Sequence, residues 1–188
     1  MFMFILKEIV QNQINILDNM LQLYAHELNA YYNYSIALGN DGRYRIKSAK
    51  KYFENDWGYF IIVNCEYAGF ILLNHNTNSP SGTFINEFFI LPRYRKGMFC
   101  YYVLSLLFSK LDGIIEYRVL KKNKNALILF DFLAKRCLNS IQAFDEYSKG
   151  QEYIRYTFNT TSIACKYSSC TKYFGLLNSK SDVRSEKS

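Results

Sequence analysis

Apolar side chains first recur along this chain at helical spacing and later form short runs typical of strands. From residue 12 to about 34 they recur every three or four positions, as on one face of an amphipathic helix or of a helix pair. The residues concerned are Ile14, Leu17, Leu21, Tyr24 and Leu28. A turn at Gly39–Gly42 and a short helical segment at 48–55 follow, and from residue 58 β-favouring runs dominate.

The arrangement of these runs predicts a mixed sheet. The predicted strands cover 2–10, 58–65, 67–74, 83–91, 114–120, 140–144 and 152–160, and further helices cover 97–110 and 123–136. The second and third strands are one residue apart, which indicates an antiparallel hairpin. The strand–helix–strand unit from 83 to 120 needs a crossover, so its two strands are expected to be parallel. The predicted fold class is therefore α/β, with a mixed sheet flanked by helices and ligands bound where strand ends diverge.

The chain of 188 residues is expected to form one domain over residues 1–160, followed by a C-terminal extension. An apolar fraction of 49% is too high for a disordered chain. The periodic pattern ends after Thr161, and residues 178–188 are charged and rich in serine. Residues 161–188 are therefore expected to be partly disordered.

The turn between the fourth strand and the next helix predicts an anion-binding site. The strand ends at Pro92, the turn carries Arg93, Arg95 and Lys96, and Gly97 directly precedes an apolar helix. The first turn of a helix has unpaired backbone N–H groups, and the helix dipole favours negative charge there. A phosphorylated cofactor or substrate is the expected ligand.

The charge of the chain limits its expected binding partners, and its cysteines indicate its cellular compartment. A net charge of +7 and a pI of about 9.1 favour an anionic partner, but the basic residues form no long arm, which argues against nucleic acid. The five cysteines are scattered without a Cys-x-x-Cys pair or zinc-ligand spacing, which argues against a metal site and favours the reducing cytoplasm. The longest apolar run, Met98–Phe108, has 11 residues and is too short to cross a bilayer, so no membrane partner is expected.

Over residues 3–160 this order of elements resembles the GNAT superfamily of N-acetyltransferases. The resemblance rests on four segments: Gly69–Leu72 in the hairpin, Glu87–Pro92 in the central strand, Tyr94–Gly97 at the turn and Asn123–Ala126 at the start of a later helix. It implies a transferase that uses acetyl-CoA as co-substrate and acetylates a primary amine by direct transfer. The acceptor stays open between a small amine, a peptide N-terminus, a lysine and an aminoacyl group.

The same resemblance assigns cofactor-binding roles. The cofactor phosphates would lie at the turn and helix start, formed by Arg95, Lys96, Gly97, Met98, Phe99 and Cys100. The pantetheine arm would bind the strand backbone at Ile90 and Leu91. Asn123 matches a cofactor-contacting asparagine of the family and is also well placed to cap its own helix.

Glu87 matches the position of the general base in the family, and its neighbours Phe84, Phe88 and Phe89 are expected to raise its pKa. Cys100, at a helix start, is expected to have a lowered pKa. An aromatic group on the first helix matches the region that contacts acceptors in the family. Its members are Tyr24, Tyr31, Tyr32 and Tyr34.

Two departures from the family pattern keep other functions open. The family turn reads Arg/Gln-x-x-Gly-x-Gly/Ala, whereas Met98 and Cys100 occupy the positions of the two small residues when no gap is introduced. A helix tyrosine that protonates the leaving thiolate in the family is replaced by Phe130, and its substitutes would be Tyr94, Tyr101 or Tyr102. The alternatives are a catalytically inactive GNAT-fold protein that binds a ligand or partner, and a basic RNA- or ribosome-associated protein. The aromatic closing strands could also pair across a homodimer.

Overall fold

Seven strands form one mixed sheet in this computed structural model, which describes residues 3–54, 56–75, 82–136 and 141–160. The strands are β1 (Phe4–Glu8), β2 (Trp57–Val63), β3 (Glu66–Asn74), β4 (Thr83–Ile90), β5 (Ile114–Leu120), β6 (Ile141–Ser148) and β7 (Gln151–Asn159). Their order across the sheet is β1-β2-β3-β4-β5-β7-β6. The predicted fold class, a mixed sheet flanked by helices, is confirmed.

The pairing of β4 with β5 is parallel, and every other pair of neighbouring strands is antiparallel. This confirms the crossover predicted from residues 83–120. The parallel ladder is short, however, since only Thr83–Ile85 pair with Ile115–Tyr117. Beyond these three pairs the two strands diverge, and a gap opens between them inside the sheet.

Four α-helices in the described part of the chain cover the two faces of the sheet: α1 (Ile14–Leu28), α2 (Ala49–Tyr52), α3 (Phe99–Phe108) and α4 (Lys124–Arg136). The first two pack on one face around Leu17, Leu21 and Phe70, and the other two on the opposite face around Leu104, Phe108 and Phe130. Successive residues of β4 alternate between these cores, as a pleated strand requires: Phe89 joins the α1 core and Ile90 the α3 core.

Several predicted boundaries shift for identifiable reasons. Helix α1 ends at Leu28 rather than near Tyr34. Helix α3 begins at Phe99 rather than at Gly97, because Gly97 has a φ of 59°, outside the right-handed helical region. The hairpin turns at Asn64 and Cys65, both with positive φ, one residue before the predicted position. The turn at Gly39–Gly42 closes with a hydrogen bond from the Gly42 N–H to the Gly39 carbonyl, 2.9 Å long.

The predicted partial disorder of the C-terminal extension concerns residues 161–188, which lie outside the described residues. Within the described ranges, no helix is long and apolar enough to cross a membrane.

Candidate functional site

The gap between β4 and β5 opens into a cavity of about 660 Å³. Its walls come from the end of α1 and the residues after it, the diverging halves of β4 and β5, and the first turns of α3 and α4. We call the part lined by Tyr24, Tyr32, Glu87, Arg118 and Tyr153 the carboxylate end. The part lined by Arg95, Gly97, Met98, Cys100 and Asn123 is the turn end.

A β-bulge aims Glu87 into the carboxylate end. Leu72 pairs with Glu87 and Leu73 with Ile85, so Asn86 is an extra residue in β4. In a regular strand Glu87 would share a face with Ile85, which packs in the α3 core. The extra residue instead turns Glu87 to the α1 face. There the Tyr52 hydroxyl donates a hydrogen bond of 2.8 Å to its Oε1 atom.

The bulge itself is held by a polar contact. The Asn86 Nδ2 donates to Asp56 Oδ2 at 3.1 Å, and the same oxygen accepts from Lys47 Nζ at 3.1 Å. The side chain of Asp56 is only 4% exposed, whereas that of Lys47 is 39% exposed, so the carboxylate is shielded from solvent and the ammonium group is not.

Burial raises the pKa of Glu87 above its ordinary value of 4.5. Hydrogen bonds from Tyr24 and Tyr52 oppose this rise, as do the positive charges of Lys47 and Arg118. The two tyrosines behave in the complementary way, since burial and the Glu87 charge raise the pKa of both phenols. At neutral pH they therefore stay protonated and act as hydrogen-bond donors to the carboxyl group.

Arg118 supplies the positive charge of the carboxylate end. Its guanidinium lies 5.6 Å from the centre of the Phe84 ring and 5.1 Å from that of Tyr153. Its Nη1 donates to Glu146 Oε1 at 2.9 Å. The carboxylate end thus combines one carboxyl group, one guanidinium and several aromatic rings.

The turn end is formed by a helix start and by side chains. Gly97 adopts its positive φ with nothing within 4 Å of the position that a Cβ would take, so the cavity is open beside it. Met98 precedes the first residue of α3, and Met98 and Cys100 both line the cavity. The first N–H groups of a helix have no carbonyl partner within the helix, so a helix start in the cavity lining suits an anion.

The guanidinium of Arg95, near this helix start, is already occupied by partners within the protein. Its Nη2 donates to Glu27 Oε2 at 2.7 Å, its Nη1 donates to the other Glu27 oxygen, and its Nε donates to the Ile90 carbonyl. The guanidinium therefore links α1 to the end of β4 across the mouth of the cavity.

Comparison of this arrangement with known proteins identifies the fold. No model of a protein family matches the sequence, and no curated protein matches it significantly. Solved structures do match. The spermidine N-acetyltransferase of Vibrio cholerae, in complex with CoA and spermine, has a TM-score of 0.58 at 10% identity, over 85% of this chain and 96% of that chain.

Two further structures agree. An acetyltransferase of Thermus thermophilus gives a TM-score of 0.59 at 10% identity, over 82% of this chain and 95% of that one. FdhC, described as a nucleotide-linked sugar GNAT, gives 0.58 at 14% identity over 92% and 93%. The chain has the GNAT fold.

Within this GNAT fold, the strand residues predicted to bind pantetheine differ in their position. Leu91 donates its N–H to the Ala68 carbonyl at 2.7 Å and does not line the cavity. Because backbone groups alternate along a strand, the N–H and C=O of Ile90 point the other way, into the gap. Ile90 lines the cavity, and its carbonyl is the one that accepts from Arg95.

The residues predicted around the turn are also only partly brought together. Arg95, Gly97, Met98 and Cys100 line the cavity, whereas Lys96 and Phe99 do not. Phe99 instead packs against Phe4, with ring centres 5.2 Å apart.

Asn123 and Cys100 both line the turn end, but in ways that the sequence did not fully predict. Asn123 caps α4, since its Oδ1 accepts from the Ala126 N–H at 3.1 Å. The expectation of a lowered pKa for Cys100 is wrong: burial raises the pKa of this thiol, and the nearby Arg95 charge compensates only in part. At neutral pH Cys100 is therefore a packed thiol rather than a nucleophile.

The tyrosines predicted from the GNAT resemblance separate into lining and outer residues. Tyr101 lines the cavity, whereas the Tyr94 hydroxyl donates to Glu66 Oε2 at 2.7 Å on the surface, and Tyr102 lies outside the lining. Of the first-helix group, Tyr24, Tyr31 and Tyr32 line the cavity. Tyr34 stacks on Tyr32 with ring centres 5.0 Å apart.

Sequence reasoning missed Tyr52, Arg118 and Glu27. Arg118 could have been found from the sequence, because it is a charged residue inside an otherwise apolar strand. Nothing in the sequence pattern marks Tyr52 or Glu27, since their roles depend on Glu87 and Arg95, which lie 35 and 68 residues away. Among the described residues no cluster of histidine, cysteine and acidic side chains could hold a metal ion.

Proposed function

We propose that this chain is an N-acetyltransferase that transfers the acetyl group of acetyl-CoA directly to a primary amine. The observation that carries the proposal is Glu87, a carboxyl of raised pKa that accepts a hydrogen bond from Tyr52 and lines the β4–β5 gap of a GNAT fold together with Tyr24. A general base works best when its pKa lies near the working pH, and partial burial moves Glu87 in that direction.

The turn end and the β4 backbone would hold the co-substrate. The first N–H groups of α3 and the open space beside Gly97 suit a diphosphate, and the Ile90 backbone groups in the gap suit an amide-bearing arm. Asn123 adds an amide at the opposite wall. Acetyl-CoA supplies a thioester, which is an acetyl group already activated for attack by nitrogen.

Glu87 and a tyrosine would handle the protons. Glu87 takes a proton from the ammonium form of the acceptor, directly or through water, and so frees the nitrogen lone pair. The new C–N bond then forms as the C–S bond breaks, the nitrogen loses a further proton to become an amide, and the leaving thiolate gains one proton, so the transfer is balanced. Among the three substitutes proposed for the missing helix tyrosine, Tyr101 is the one that lines the cavity and is assigned this role.

A GNAT-fold binding protein without catalysis is the second candidate, and the turn end is the observation that favours it. The side chains of Met98 and Cys100 line the helix start, and the Arg95 guanidinium is occupied by Glu27. Both features reduce the room and the positive charge available to a diphosphate.

The described arginines give no support to the RNA-binding alternative. Each one whose side chain is described pairs with a carboxylate; these are Arg43, Arg45, Arg93, Arg95, Arg118 and Arg155. Paired arginines offer less charge to a phosphate backbone than free ones do.

Homodimer formation stays a prediction. It would involve edge strand β6, where Phe144 and Tyr147 are exposed.

Calorimetric titration with acetyl-CoA tests the proposal through a matched pair of variants. Asn and Asp both tolerate a positive φ, so Gly97→Asn and Gly97→Asp differ in charge at nearly equal strain. We expect micromolar binding by the parent, a loss of a few-fold in Gly97→Asn and a loss of tenfold or more in Gly97→Asp. Equal losses in both variants would place the diphosphate elsewhere. No binding by the parent at millimolar acetyl-CoA would favour the non-catalytic candidate.

A further inference from the structure

Arg118 has no task in acetyl transfer itself, yet it lies beside the base and is held by a dedicated network. Arg118 of β5 lies directly opposite Arg155 of β7, and like charges in that position repel. Glu146 lies between them and accepts from Arg118 Nη1 at 2.9 Å and from Arg155 Nε at 2.6 Å. Glu116, only 3% exposed, accepts from Arg155 as well. Two arginines and two glutamates thus form a neutral group that fixes the Arg118 guanidinium.

Arg118 lines the cavity, and one edge of its fixed guanidinium is not used by the network. The bond to Glu146 uses Nη1, and within the described part of the chain neither Nε nor Nη2 of Arg118 makes a hydrogen bond. Rings of Phe84 and Tyr153 lie within 5.6 Å of the guanidinium carbon and limit its rotation. The Nε–Nη2 edge of a guanidinium presents two parallel N–H donors, which is the geometry that binds a carboxylate through both oxygens.

The spacing of this edge from Glu87 matches a small molecule with two opposite charges. Because of the bulge at Asn86, Phe84 and Glu87 are next neighbours on one face of β4, about 7 Å apart along the strand. Arg118 lies over Phe84, so an amine at Glu87 and a carboxylate at Arg118 would be separated by only a few bonds.

The charges of the lining also argue against a polyamine. Among the described lining residues the carboxylates are Glu27 and Glu87, and Glu27 is already paired with Arg95. A polyamine carries several positive charges and would meet one available carboxylate and the positive Arg118. The Vibrio cholerae protein solved with spermine therefore shares the fold but is a poor guide to the acceptor.

We infer that the acceptor is an amino acid or a close analogue, whose primary amine is received by Glu87 and whose carboxylate is bound by Arg118, with its side chain against the rings of Tyr32 and Tyr153. This inference rests on the proposed acetyltransferase function and adds the substrate class. Arg118 is then a specificity-determining residue.

Matched acceptor pairs test the inference on the parent protein without any substitution. Release of free CoA thiol is measured with alanine against ethylamine, phenylalanine against phenethylamine, and tyrosine against tyramine, with spermidine as a further acceptor. Each pair differs by one carboxylate. We expect kcat/KM to be at least tenfold higher for the amino acid in the best pair. Equal values in all pairs, or a preference for spermidine, would overturn the inference and leave the acetyltransferase function standing.

A variant pair locates the effect at Arg118. In Arg118→Gln the preference for the amino acid should disappear, because KM rises for the amino acid and not for the matched amine. Loss of the positive charge near Glu87 affects the turnover of both acceptors alike, so the measured quantity is the ratio of their kcat/KM values. The control Lys121→Gln removes an equal charge just beyond β5, at a residue paired with Asp145 outside the cavity lining, and should keep the preference. Loss of preference in both variants would overturn the assignment to Arg118. Thermal melting of each variant reports whether the β5–β7 network still folds. Acetyl-CoA binding without acetylation of any acceptor would overturn the acetyltransferase function together with this inference.

Discussion

The two ends of the cavity are built in different ways. The carboxylate end depends on side chains, namely a partly buried Glu87 with its tyrosine donors and the Arg118 network. The turn end depends on backbone, namely the helix start of α3 and the open space beside Gly97. A site built from side chains is lost when one of those side chains is replaced. A site built from backbone N–H groups tolerates such replacements and is weakened mainly by side chains that occupy the space of the ligand. Met98, Cys100 and the Glu27–Arg95 pair are such intrusions.

Removing the charge of Glu87 should have the largest effect, and it should be confined to the carboxylate end. Glu87→Gln keeps the size of the side chain but cannot take a proton, so we expect kcat to fall by about 100- to 1,000-fold. Affinity for acetyl-CoA, set at the other end, should change by less than about twofold. Steady-state kinetics and calorimetry measure the two quantities separately, and a kcat within threefold of the parent would exclude Glu87 as the base.

Stability of the same variant distinguishes loss of chemistry from loss of fold. Because the pKa of Glu87 is raised on folding, its carboxyl stabilises the fold fully below pH 4.5, and this contribution is lost as the pH rises through the raised value. Glu87→Gln should therefore melt at the parent temperature or higher at pH 8, and the difference should vanish near pH 4. A melting temperature well below that of the parent at pH 8 would mean that the activity loss has a structural cause.

The next largest effect is expected from Tyr52→Phe. The Tyr52 hydroxyl donates to Glu87 and lowers its pKa, so its removal should raise the pKa of Glu87 further. The acidic limb of kcat/KM should then move to higher pH, with about a tenfold loss of rate below the limb. Tyr44→Phe is the matched control, because it removes a hydroxyl 2.8 Å from His26 Nδ1, away from Glu87. An unshifted limb in Tyr52→Phe would mean that another group titrates in that limb.

These predictions rely on features that the sequence could only partly supply. The order of the elements along the chain and the parallel crossover followed from residue patterns, and Glu87 followed from a family resemblance in the central strand. The bulge at Asn86 could not be predicted, since no glycine or proline marks it. Glu146 lay beyond the predicted end of its strand, so the partner that fixes Arg118 was also out of reach. Contacts between distant segments, which depend on packing rather than on local pattern, account for what was missed.

At the turn end, Glu27→Gln should improve binding of the co-substrate. The pair with Arg95 is partly exposed, so its loss should cost less than about 1 kcal/mol of stability. The released guanidinium can then approach the diphosphate, and we expect Kd for acetyl-CoA to fall about fivefold. The double variant Glu27→Gln with Arg95→Ala should lose this gain. Weaker binding by Glu27→Gln alone would show instead that the ion pair shapes the turn for the ligand.

The smallest expected effect concerns the side chain of Met98. Met98 directly precedes α3 with a φ of −92°, a position where glycine costs a helix only a few tenths of a kcal/mol. Met98→Gly uncovers the backbone at the helix start, so Kd for acetyl-CoA should fall about threefold, or about 0.6 kcal/mol. Met98→Leu keeps the bulk and should bind as the parent does. If Met98→Gly binds no more tightly than Met98→Leu, this side chain does not obstruct the ligand. The difference between the two ends would then depend on the Glu27–Arg95 pair and on Cys100.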